Sequence, residues 1–173
     1  ADSITSQIAE AGLETIIVQP GRVTSATVER VFQEELADEL ATVDGILEAA
    51  PVNQTYVYVK SANADARETV TSSTPGFVSI FSLELSEGRF LGQDDLDGRL
   101  AVAVLGAELA DTLFPDGGAV GSSIRFLGDT PRQFKVVGVL EEKSDTYGFS
   151  FDSNIFVPRT SYLTRVAKAE RVD

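Results

Sequence analysis

The sequence predicts an α+β fold in two pieces, and three observations predict it. A strand, a helix and a strand follow one another between residues 13 and 60, the order of an α/β unit. A polar stretch at 61–75 separates them from a second apolar region. That region places a short amphipathic helix between a buried strand and two strands that alternate around GDTP as a hairpin does.

The elements follow in order. In ADSITSQIAEAG (1–12), Ile4 and Ile8 stand one helical turn apart, so a weak helix is expected, closed by Gly12. LETIIVQ (13–19) reads as a buried strand, and Pro20-Gly21 as a turn. Across 22–40, Val28, Val31, Phe32, Leu36 and Leu40 share one helical face; Thr24 or Ser25 caps the start, without Glu or Gln three residues on. VDGILEAAPV is a turn and a short strand, and QTYVYVK (54–60) alternates as a half-buried strand should. SANADARETVTSSTP (61–75) is poor in large side chains and is expected to be a boundary or mobile connection.

GFVSIFSLELSEG then opens a new apolar segment. RLAVAVLG reads as a buried strand, and AELADTLF as a short helix with Leu109, Leu113 and Phe114 on one face. PDGGAVG breaks it. In the hairpin, Ile124 and Phe126 share a face, as do Phe134 and Val136. SNIFVP (153–158) is a further strand. TSYLTRV begins a helix capped by Thr160 or Ser161, with apolar positions Leu163, Val166 and Ala167.

Charge and composition remove several function classes. The net charge is −13, from 27 acids and 14 bases, with no Lys/Arg cluster to hold a phosphate backbone, so nucleic acid is not expected as a partner. Ten of the acids fall in the first 50 residues, against Arg22 and Arg30 alone. Cysteine and histidine are absent, which excludes disulfides, thiol catalysis, and the commonest general base and metal ligand. Methionine is absent even at position 1, so the chain is expected to be part of a longer product. No apolar run reaches the roughly 18 residues of a membrane span.

The search for chemistry finds little. There is no H-E-x-x-H, G-x-S-x-G or P-loop. An all-oxygen metal site would have to use Asp94, Asp95 and Asp97, whose spacing misses the calcium-loop pattern; caps and a solvated turn are the expectation. Glu84, Glu87, Asp111, Glu141, Glu142 and Asp152 are available for acid–base work, but nothing singles out a pair. Gly117, Gly118 and Gly121 follow a helix, so they read as a turn and not as a dinucleotide loop. Tyr56 and Tyr58 share a strand face and are expected at the outer edge of a core. Tyr147, Phe149 and Phe151, with Asp152, lie in a loop of small residues; packing between the two pieces is the first expectation, and a candidate contact surface the second. NQT (53–55) matches a glycosylation acceptor only weakly. No catalytic residue, cofactor site or metal site is assigned. By residues alone, the stretch 88–114 is scaffolding.

That stretch also carries a family likeness. SLELSEGRFLGQDDLDGRLAVAVLGAELADTLFPDGGAVGSSIRFLGDTPRQFKVVGVLEE resembles the extracytoplasmic core domain of MacB-like ABC transporter permeases, of the wider FtsX-like group. The matching pieces are Gly88, Arg89 and Phe90, then Asp94 or Asp95, Val102 to Gly106, Leu113 with Phe114, Val120 with Gly121, and Val137 to Leu140, including Gly138. FDSNIFVP, with Asp152 and Pro158, matches the family's return strand, and ITSQIAEAGLETIIVQPG its start. The ordered set covers nearly the whole chain. It departs at Ala11 to Glu14, and the chain stops soon after TSYLTRV, where the family has a further strand and helix.

The resemblance implies a two-lobed domain: a porter-like α/β part over 1–65, an inserted sabre-like mixed α/β part over 66–150, and a return to the first over 151–173. It implies an extracytoplasmic place in a dimeric permease, with ATP hydrolysis on a separate cytoplasmic nucleotide-binding domain. It further implies membrane helices of the same protein, and an adaptor or other envelope protein as partner. The function implied is mechanical: export, lipoprotein release or control of an envelope enzyme, with the 61–75 connection as the joint.

Overall fold

The computed structural model describes residues 4–8, 16–20, 34–46, 48–127, 131–145 and 149–166. Its contacts group the chain into two units, Ala1–Pro51 and Val52–Asp173. Parallel and antiparallel strands mix with short helices, so the α+β class holds.

In the first unit, β1 (Ile4–Ile8) pairs antiparallel with β2 (Ile16–Pro20), Ile4 opposite Pro20 and Ile8 opposite Ile16. A strand therefore replaces the helix expected over 1–12. An i, i+4 spacing serves either element, because four is also a multiple of the strand period of two. The β-branched Ile4, Thr5 and Ile8 favour the strand. Of the helix expected across 22–40, α1 (Glu34–Ala41) is described; Thr24, Ser25, Val28, Val31 and Phe32 lie outside the described residues. After it, the Thr42 hydroxyl donates to the Glu39 carbonyl at 2.6 Å, and Gly45 takes φ +92°. The described residues of 48–53 form no strand, contrary to expectation.

The second unit is built on one sheet. Its strands are β3 (Gln54–Lys60), β4 (Asp65–Ser73), β5 (Leu85–Gly88), β6 (Val102–Leu105), β7 (Ser123–Leu127), β8 (Arg132–Leu140) and β9 (Asn154–Pro158). Their order is β5-β8-β6-β9-β4-β3-β7, and β7 also pairs with β8. That last pairing closes six strands into a barrel. The nine-residue β8 makes closure possible: its start, Arg132–Lys135, pairs with β7, and its end, Gly138–Leu140, with β5. The hairpin of β7 and β8 has Ile124 opposite Phe134, the register its alternation implies.

Helices α2 (Phe77–Phe81), α3 (Gln93–Asp97), α4 (Ala107–Leu113) and α5 (Arg159–Ser161) fill the connections, and α5 runs into a π-helical turn over Tyr162–Val166. Two apolar clusters lie on opposite faces of β6 and β9. Ala103, Leu105, Ile155 and Val157 join Leu109, Leu113, Phe126 and Phe134 in one. Val102, Val104 and Phe156 join Phe77, Leu91 and Phe151 in the other. Burial on both faces is why VAVL and NIFVP are unbroken apolar runs.

The segment 61–75 is not a loose connection. Most of it is β4, hydrogen-bonded along one edge to β3 and along the other to β9. Its Thr71 is buried in a relay: Gln54 Nε2 donates to Thr71 Oγ1 at 3.1 Å, Thr71 Oγ1 donates to Asn154 Oδ1 at 2.5 Å, and Asn154 Nδ2 donates to the Ser150 carbonyl at 2.8 Å. Small hydroxyls fit a sheet interior when partnered in this way. The boundary expected at 65/66 falls inside β4, and β9, just after the one expected at 150/151, lies in the middle of the same sheet.

The last helix differs in its start. Pro158 precedes it without a side-chain cap. Thr160 and Ser161 donate their hydroxyls, each at 2.6 Å, to the carbonyls of Leu96 and Leu100, tying this turn to the segment after α3. Val166 is buried and Leu163 is exposed; Ala167 lies outside the described residues.

Candidate functional site

Gly88, Arg89, Phe90 and Asp95 form one built unit. Gly88 (φ +71°) pairs with Gly138 of β8, and an added Cβ on Gly88 would enter the carbonyl of Val137. The turn it permits aims Arg89 back at α3, where the guanidinium meets Asp95 in two bonds of 2.6 and 3.0 Å. Asp95 also accepts the Gly92 N–H at 2.8 Å, which satisfies a free donor at the start of α3. Phe90 packs on Phe156, with ring centroids 6.2 Å apart.

The Asp95 side chain is only 3% exposed, whereas that of Arg89 is 53% exposed. The expected caps and solvated turn divide among the three acids: Asp95 is the cap, through the Gly92 N–H, and Asp94 and Asp97 are the solvated acids. The hydrogen bonds from Arg89 hold the Asp95 carboxyl below the ordinary range, against the opposing effect of burial. No three acidic side chains among the described residues gather to hold a metal ion.

The other carboxylates gather elsewhere. Glu87, Asp111, Glu141 and Glu142 rim a cleft of about 430 Å³ floored by Ala110, Phe114 and Val139. The Gly117 and Gly118 turn forms part of its wall. Gly121 follows at φ +90°, its N–H donating to the Val136 carbonyl at 2.8 Å. Glu84 and Glu141 come within hydrogen-bonding range, a pair the sequence did not single out, and this raises the Glu141 carboxyl above its ordinary value. The cause is a neighbouring carboxyl and not a dry pocket, since Glu141 is solvent-exposed. A group raised in the folded state adds stability that is complete below its unfolded range and is lost as pH rises through the folded value. Glu141→Gln is thus expected to melt slightly above the wild type at pH 7. At pH 4 the difference should vanish in a calorimetric scan.

The aromatic loop is mostly interior. Phe151 is buried and Phe149 half-buried, in a cluster with Phe77, Phe81 and Phe156. Phe149 lies 4.8 Å from Phe151 and 6.1 Å from Phe77, between ring centroids. These two pack inside the second unit and form no open contact surface; Tyr147 lies outside the described residues. Asp152 is structural as well: its Oδ1 accepts the Lys143 N–H at 2.9 Å, and its carbonyl accepts the Leu109 N–H at 3.0 Å.

The exposed aromatics lie on β3. Tyr56 is 69% and Tyr58 57% exposed, which corrects the core edge expected for them. Arg67 of β4 lies over both rings, 5.8 and 5.5 Å from their centroids. Leu127 of β7, also exposed, is the partner of Tyr58 on its other side. The alternation of QTYVYVK signalled that one pair faces out. Which pair, and that Arg67 and Leu127 flank it, needed the strand register.

Against known proteins, residues 1–172 match the model of the MacB-like periplasmic core domain. The macrolide export ATP-binding/permease protein MacB of Escherichia coli strain K12 is 25% identical over 166 residues, which are 94% of this chain and 25% of that protein. The chain thus spans about a quarter of the length of the curated relatives it matches. Among solved structures, the extracellular domain of the noncanonic ABC-type transporter YknZ from Gram-positive bacteria superposes with a TM-score of 0.66 at 21% identity, covering 80% of this chain and 68% of that one. The periplasmic region of MacB from Actinobacillus actinomycetemcomitans gives 0.64 at 20% identity, covering 76% and 56%. These two likenesses concern the fold.

Proposed function

We propose, from the premise that the chain belongs to the family of MacB-like periplasmic core domains, that it is the force-transmitting extracytoplasmic domain of an ABC transporter permease. The observation that carries this reading is the family match along 1–172. ATP is hydrolysed on a cytoplasmic nucleotide-binding domain. Membrane helices of the same protein pass the motion outward, and this domain turns it into export or lipoprotein release through contact with an adaptor or another envelope protein. In full length the permease is a dimer.

The fold suits that work. A ring of six paired strands links each to two neighbours, so a push at one strand is shared by the others. The joint we assign is the step between the two units at Pro51 and Val52, in place of the 61–75 segment. Hinge motion needs only a few residues that absorb a change of backbone angle. The domain itself makes and breaks no bonds.

The test uses the whole permease in proteoliposomes, with residues 54–166 replaced by a short linker. Export or release is expected to stop while ATP hydrolysis continues. Undiminished export would overturn the reading. Two other readings have their own outcomes. If export was never present and an envelope hydrolase loses activity, the permease is a regulator. If the isolated chain turns over a substrate and Glu141→Gln abolishes it, the pair of Glu84 and Glu141 is catalytic.

A further inference from the structure

We propose that the outer face of β3, β4, β7 and β8 docks a short acidic segment of another protein. The proposal goes beyond the permease reading and does not depend on it. Tyr56, Tyr58 and Leu127 supply an exposed apolar centre. Around it stand Arg67, Arg125 and Lys135, all exposed. The registers place them together: Tyr58 opposite Arg67 on one side and Leu127 on the other, Arg125 opposite Gln133, and Lys135 opposite Ser123.

Charge decides what kind of partner fits. The chain carries −13 overall, yet this face collects cations. Lys60 adds another beside Arg125; among the described residues of these strands the acid on the same face is Asp65, opposite Lys60 at the end of the hairpin. Among the described residues the ion pair of the structure is Arg89 with Asp95, elsewhere in the fold, so within them the cations of this face meet no carboxylate partner. Such cations around tyrosines on an otherwise acidic body complement carboxylates. Tyrosine and arginine are also the residues that concentrate binding energy at protein interfaces.

Geometry narrows the mode. β4 covers one edge of β3, and β7 covers the other from Tyr58 to Lys60, so no strand can be added beside Tyr58. The segment is held by side chains: aromatic contact with the tyrosines, and carboxylates on Arg67, Arg125 and Lys135. An anionic bilayer fits less well. The net charge of −13 opposes adsorption to a surface as extended as an anionic bilayer, whereas a short segment touches the face alone.

The experiment titrates the isotopically labelled 173-residue chain with a ten-residue glutamate-rich peptide carrying one central phenylalanine. Parallel titrations use vesicles of equal phosphatidylcholine and phosphatidylglycerol, and dilution of the chain alone. The expected result is saturable amide shifts at Tyr56, Tyr58, Arg67 and Leu127 with the peptide. Joint Arg67→Glu and Arg125→Glu should weaken binding roughly tenfold or more. Tyr58→Ala should weaken it too, and all variants should keep the wild-type melting temperature. The proposal is overturned if the peptide shifts nothing on this face or binds the double variant as well as the wild type. It is also overturned if the vesicles, or self-association of the chain, perturb this face while the peptide does not.

Discussion

Gly106→Ala is expected to cost about 3 kcal/mol or more, combining overpacking with the loss of two backbone hydrogen bonds. Gly106 joins β6 to α4, and its own backbone angles, φ −65° and ψ 159°, suit any residue. What demands glycine is space. An added Cβ would enter the carbonyls of Phe151 and Asp152. Those carbonyls cannot withdraw freely, because the Asp152 carbonyl accepts the Leu109 N–H and the Asn154 carbonyl accepts the Gly106 N–H, each at 3.0 Å. Displacing 151–154 also pulls Phe151, Ile155 and Phe156 out of both apolar clusters. The readout is thermal melting, with a fall of about 10 °C. The control is Gly118→Ala, where a Cβ meets nothing and only the left-handed φ of +75° is strained, costing about 1 kcal/mol. Equal losses at both positions would refute the close-approach account.

Gly106 could be picked out in the sequence as the end of V-A-V-L-G and Gly138 as the centre of V-x-G-V-L, but their reason could not. The segments that press on them, 151–152 and Arg89, are distant along the chain, and no local pattern announces a contact of that kind. The local elements were legible where one period dominates. QTYVYVK, AELADTLF and the hairpin of β7 and β8 all formed where alternation or helical spacing placed them. Ile4 and Ile8 misled because their spacing satisfies two periods at once.

The segment 61–75 misled for a different reason. Sequence reading weighs side-chain size, and this stretch has few large side chains. Yet DARETVTSS is rich in β-branched residues, and the hydroxyls of Thr71 and Ser72 are buried with Asn53, Gln54 and Asn154 as their partners. Asn154 lies 83 residues beyond Thr71. Closure of the barrel rests on the same kind of distant pairing, and so does the cationic face. Tyr56, Arg67 and Leu127 become neighbours only once β3 has found both its partners.

Arg89→Ala is expected to destabilise the domain more than Asp95→Asn, although both delete the same ion pair. The asymmetry follows from burial. Without Asp95, the half-exposed guanidinium returns to water, and the cost is that of lost charged hydrogen bonds, about 2 kcal/mol. Without Arg89, a carboxylate that is 3% exposed keeps only the Gly92 N–H, and stranding such a charge costs about 3 kcal/mol. The two variants should also differ in their response to acid. In the wild type the folded Asp95 carboxyl is depressed, so its stabilisation is complete above the unfolded carboxylate range and is lost as pH falls through the depressed value. Asp95→Asn should therefore flatten the acid limb of a plot of stability against pH. In Arg89→Ala the arginine's lowering effect is gone and burial, which raises the carboxyl, prevails. The sign then reverses: the loss relative to wild type should be full near pH 7 and shrink as Asp95 takes up its proton. Denaturant midpoints for the three proteins between pH 3 and 7 decide the matter. Parallel curves for Arg89→Ala and wild type would mean that Asp95 is hydrated in the fold and that the pair is an ordinary surface contact.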